Sequence, residues 1–124
     1  MPDQKSSRIR LRRAYDAPAT SEGYRVLVDR IWPRGVSRDE LGLDDWLKEL
    51  APSTGLRKWF NHDPAKWAAF KDRYFMELDK QPEVVERLLV KCREGPVTLV
   101  FGAKDTQYNN AVALKEYLEQ RARR

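Results

Sequence analysis

Apolar and polar positions alternate along the chain in three different ways, and each predicts a different element. From Arg8 to Arg13 the period is two: Ile9 and Leu11 share one face, and Arg8, Arg10 and Arg12 share the other. This predicts a half-buried strand, with arginines on the outer face to discourage sheet-to-sheet aggregation at an edge. From Tyr24 to Ile31 the run is nearly solid, with Val26, Leu27 and Val28 at its centre, as in a strand covered on both faces. Pro33 ends it. Val97 to Phe101 repeats that solid pattern and predicts the third strand.

Between the second and third strands the period is helical. Asp44 or Asp45 would cap a short helix through Leu50, stopped by Pro52. Ser53 or Thr54 would cap a second, burying Leu56, Trp59 and Phe60. Asp63 and Pro64 form a start signal, since proline has no N–H to leave unpaired in a first turn. The helix that follows carries Trp67, Phe70, Tyr74 and Leu78 on one stripe. Pro82 opens a helix with Val85, Leu88, Leu89 and Cys92 inward, closed by Gly95 and Pro96. Asp105 or Thr106 begins the last helix, whose inner face is Ala111, Leu114 and Leu118.

The order predicts a small single α/β domain over residues 1–124: a short, mainly parallel sheet of about three strands flanked by helices. Residues 1–7 and 121–124 are expected to be flexible ends. A long helical crossover between the second and third strands favours a parallel, right-handed pair. Ligands of such sheets gather at the carboxyl ends of the strands. Two sets of residues would open there on one side, Asp29 to Arg34 and Gly102 to Asn110.

Composition narrows the class. The 124 residues are 41% hydrophobic and 35% charged, as in a soluble domain with a heavily charged surface. One cysteine excludes an intramolecular disulfide and multi-cysteine metal clusters, and fits a reducing, cytoplasmic setting. No segment has the apolar length of a membrane span, so no membrane partner is expected. The net charge of +5 leans toward anionic partners. Arg8, Arg10, Arg12 and Arg13 crowd the first strand, and Arg121, Arg123 and Arg124 end the chain.

Candidate chemistry concentrates in Val-Asp-Arg-Ile-Trp-Pro-Arg-Gly, residues 28–35. Arg30 and Arg34 offer guanidinium forks for a phosphate or carboxylate, with Gly35 letting backbone approach; the other reading is a structural ion pair. Trp32 stacks on a planar ligand or covers a sheet edge. His62 and Asp29 are the candidate proton-transfer groups; Asp63, beside His62, is also explained by capping. Lys104 adds a charge at the third strand's end. Asn109 and Asn110 have poor helix propensity for a first turn, so their amides should bind a ligand or the opposite loop. Cys92 reads as an inert core thiol. No metal-ligand spacing, phosphate-binding glycine loop or nucleophile elbow is present, so no metal and no cofactor is expected. Three functions remain open: a pocket for a small anionic ligand, with or without catalysis; a nucleic-acid module using the terminal arginines and Trp32; or an interaction domain. Oligomeric state is not legible.

Several segments together carry a resemblance. They are Arg13-Ala14-Tyr15-Asp16, residues 23–35, 46–53 and 56–60, His62-Asp63-Pro64 and Asn109-Asn110-Ala111. Over most of its length the chain resembles the YeaO-like branch of the domain-of-unknown-function 488 family of bacterial and archaeal proteins. The resemblance implies the α/β fold and brings no activity with it. It also implies a contrast, because many members of the wider family place a cysteine just after the last strand, and some place Cys-His-Arg at the next helix. Here Gly102-Ala103 and Asn109-Asn110 stand in those places, so thiol chemistry does not carry over.

Overall fold

Every residue of β4 (Val97–Phe101) is buried, and the sheet is assembled around it. The computed structural model describes residues 9–17 and 23–122. β1 (Ile9–Arg13) pairs with one side of β4 and β2 (Tyr24–Leu27) with the other; β3 (Asp45–Trp46) pairs with β2. All pairings are parallel, in the order β1-β4-β2-β3. The expected parallel relation of the second and third strands of the sequence is therefore present, with Leu27 opposite Val100. The basic first strand lies at an edge.

Strand side chains alternate between two faces. Val26, Val28, Leu99 and Phe101 enter a large core beneath α2 (Thr54–Phe60), α3 (Trp67–Leu78), α4 (Pro82–Glu94) and α5 (Asn110–Ala122). Leu27 and Val100 enter a smaller one with Ala14 and Leu41. That second face is covered by α1 (Arg38–Leu41) and by Trp32, Val36, Leu43 and Trp46.

Three local expectations change. The segment read as a helix capped by Asp44 or Asp45 supplies a fourth strand and a 3-10 turn, Lys48–Leu50. Its aspartates are used differently: Asp44 Oδ2 accepts from Arg25 N–H at 2.8 Å, while Asp44 N–H donates to Arg25 O at 2.8 Å. Leu47 N–H then donates to Leu27 O at 3.0 Å, which draws the segment onto the edge of β2. The last helix starts at Asn110 rather than Asp105, because the Asp105 carboxylate is spent on a turn, accepting from the N–H groups of Gln107 and Tyr108. The short α1 was not expected, although Ser37 and Glu40 form a reciprocal capping box before it.

Candidate functional site

The carboxyl ends of β2 and β4 and the start of α5 meet at one carboxylate. Asp29 Oδ2 accepts from Gly102 N–H at 2.7 Å, and Oδ1 accepts from the Asn110 side-chain amide at 3.0 Å. The same Asn110 amide donates to Val28 O at 3.0 Å. A side chain at position 102 would begin 3.2 Å from Asp29 Oδ2, so glycine keeps this approach open. Burial pushes the Asp29 carboxyl up from its ordinary value; the bonds from Asn110 and Gly102 and the nearby Arg57 pull the other way.

Beside this junction lies a cavity of about 400 Å³. Asp29, Gly102 and Asn110 form part of its wall, and Phe60 and Phe70 another part. Arg30, Arg57, Lys58 and His62 bring positive or protonatable groups to it. α2 sets two of these: Ser53 caps it by accepting from Leu56 N–H, and the Ser53 hydroxyl donates to Glu77 Oε2 at 2.6 Å, which fastens α2 to α3. At its other end Asn61 and His62 both take left-handed backbone angles, φ 46° and 56°. That reversal puts Asn61 and His62 on the cavity wall. Asp63 caps the next turn, accepting from Ala65 N–H at 3.0 Å. The Asp105 carboxyl is held below its ordinary value by the N–H groups of Tyr108 and Gln107, with a lesser pull from His62.

Of the residues singled out in the sequence, Asp29, Arg30, His62 and Asn110 converge on this cavity. Trp32, Arg34, Gly35, Lys104 and Asn109 are not in its wall. Trp32 donates from Nε1 to Val36 O at 2.6 Å and meets Trp46 edge-on, ring centres 5.3 Å apart. Gly35 has φ 79° with open space where a side chain would start, so it serves the backbone path of the turn. Arg34 and Lys104 are exposed. Asn109 is buried and bonded at both ends of its amide: Nδ2 donates to Asp105 O at 2.8 Å and Oδ1 accepts from Val112 N–H at 2.9 Å. Arg57 and Lys58 were missed; in sequence they are only the polar face of an amphipathic helix, and nothing there says what that face lines. Cys92 is buried in the core, which pushes its thiol up to about 11.

The basic segments are partly committed within the fold. Arg13 Nε donates to Ala103 O at 2.9 Å, and Arg121 pairs with Asp79 at 2.6 Å in the last turns of α5. Arg8, Arg123, Arg124 and residues 1–7 lie outside the described residues. Among the described residues, no group of three or more His, Cys, Asp or Glu is placed to hold a metal ion, and no helix is long and apolar enough to cross a membrane.

Residues 8–124 match the profile of a family described as the inactive DUF488-N3 subclade. The chain is 42% identical over 110 residues to uncharacterized protein YeaO of Escherichia coli K12, covering 89% of this chain and 96% of that one. It is 34% identical over 117 residues to uncharacterized proteins Mb3100c of Mycobacterium bovis and Rv3073c of Mycobacterium tuberculosis, covering 94% of this chain and 98% of each. No solved structure matches at a significant level. On the profile match and these relatives, the chain belongs to the YeaO-like DUF488 family.

Proposed function

We propose that the cavity at the carboxyl ends of β2 and β4 binds a small anionic ligand through a phosphate or carboxylate group. The observation that carries this reading is the charge balance of its wall. Three permanent cations, Arg30, Arg57 and Lys58, face one carboxylate, Asp29, whose oxygens already accept from Gly102 and Asn110. Guanidinium forks suit planar or tetrahedral oxyanions, and a partly enclosed site strengthens the attraction. Asp29, whose carboxyl burial pushes up from its ordinary value, is the wall group through which binding varies with pH.

One observation favours binding over catalysis: the matching subclade is described as inactive. Gly102 and Asn110, from the Gly102-Ala103 and Asn109-Asn110 pairs that stand in place of the wider family's expected cysteine-bearing segments, are both donors to Asp29.

A thermal-shift titration of inorganic phosphate against wild type and the Arg30→Gln/Arg57→Gln double variant tests the reading. Both arginines are exposed, so the double variant should keep its stability within about 0.5 kcal/mol per site. Phosphate should raise the midpoint of wild type and leave the variant unmoved. Equal stabilisation of both proteins overturns the proposal. Stabilisation by an oligonucleotide alone, lost at high salt, moves the function to the nucleic-acid reading.

A further inference from the structure

We infer that the anion taken by this cavity carries an apolar body, of the aryl phosphate or aryl carboxylate kind. The inference rests on the anion-binding reading above and adds the part of the ligand beyond the charged group. A cavity of about 400 Å³ is of the size that holds whole small molecules rather than bare ions. Its cations account for the charged end only. Ile31, Ala51, Pro52, Phe60 and Phe70 give the wall an apolar part, beside the polar Asn61 and His62.

Two of these features point to an apolar occupant. Phe60 and Phe70, 5% and 2% exposed, stack with ring centres 4.4 Å apart and planes inclined by 28°, so their part of the wall is a packed apolar backing. Ile31, by contrast, is 60% exposed at the same cavity, the second largest exposure among the large hydrophobic residues described. An apolar body lying between Ile31 and the phenylalanines would remove that surface from water. A hydroxylated body, as in a sugar phosphate, would press hydroxyl groups against carbon wherever it lay along Ile31 and the phenylalanines. The Asn110 amide is already committed to Val28 O and Asp29, so it is poorly placed to satisfy them.

The test is calorimetric titration of phenyl phosphate, glycerol phosphate and inorganic phosphate at equal ionic strength. Phenyl phosphate should bind about tenfold tighter than the other two, the gain expected from burying part of a ring. In Ile31→Ser that preference should shrink several-fold while inorganic phosphate binds as before. Ile31 is exposed, so this variant should fold. If phenyl phosphate binds no tighter than inorganic phosphate, and inorganic phosphate still needs Arg30 and Arg57, the apolar body is overturned and the anion site stands. A preference unchanged in both Ile31→Ser and Phe60→Leu overturns the assigned surface. Failure of all three anions to bind overturns both readings together.

Discussion

Asp29 to Ile31 and Trp32 to Gly35 are consecutive in sequence and do different work. The first three residues line the cavity. The next four turn away from it: Trp32 packs on the small core of Leu27, Leu41 and Val100, Gly35 supplies a left-handed backbone, and Arg34 is exposed. The difference is one of sheet faces. β2 is buried on both faces, so the chain leaving it serves one face first and then must cover the other. The segment richest in unusual residues is therefore mostly the lid of the second core. The site draws its extra charge from Arg57 and Lys58 on a helix of ordinary composition.

The contrast breaks most visibly in Trp32→Ala. That change removes the edge-on contact with Trp46 and the bond to Val36 O. It should cost about 2–3 kcal/mol in urea unfolding, less than a fully buried tryptophan because Trp32 is half-buried. Phosphate affinity of the folded fraction should hold. A large loss of affinity at unchanged stability would put Trp32 in the site.

Asn110→Asp tests the other region, at a cost of about 2 kcal/mol near neutral pH, because Val28 O loses its donor and two carboxylates meet. The cost should depend on pH. Asp29 holds its proton more tightly folded than unfolded, since burial raises it above 3.8. Such a carboxyl lends stability that is complete below its unfolded value and is lost as pH climbs through its folded value. A second carboxylate pushes Asp29 higher still, so the deficit against wild type should be widest at neutral pH and close as pH falls toward about 4. A deficit independent of pH would mean that Asp29 and position 110 do not interact in solution. Gly35→Ala should cost about 1 kcal/mol through its left-handed angle alone, again with affinity unchanged.

The sequence patterns that carried the fold are those with little competition. Solid apolar runs at Val26–Val28 and Val97–Phe101 have one stable use, and the helical crossover between them fixed their parallel relation and the side on which Asp29 meets Gly102. Short polar residues were less legible, because one carboxylate or amide fits several partners. Asp44 reads as a cap and instead docks on Arg25. Asp105 reads as a cap and instead closes a turn, and Asn109, four residues on, takes the capping role. The adjacent asparagines show the limit most clearly: position 109 faces its own helix and position 110 faces Asp29, a difference of one helical step invisible without the register of α5. Arg57 could not be found at all, since its place on the wall depends on how α2 is fastened to α3.

The smallest expected effect decides most about the comparison. Arg34 is exposed and absent from the cavity wall, while Arg30, four residues earlier, is in it. Arg34→Ala should therefore shift stability by less than about 0.5 kcal/mol, the range of ordinary surface changes. Phosphate affinity should stay within about twofold, since an exposed charge outside the wall acts through solvent and is weakened by physiological salt. Arg30→Ala, measured beside it, should lose several-fold in affinity. The pair holds composition constant, one arginine removed from one loop, so only position differs. If both variants lose affinity equally, the turn belongs to the site and the boundary after Ile31 is false. If Arg34→Ala instead lowers the unfolding midpoint strongly, the guanidinium has a structural partner and the turn is architecture through to its last side chain.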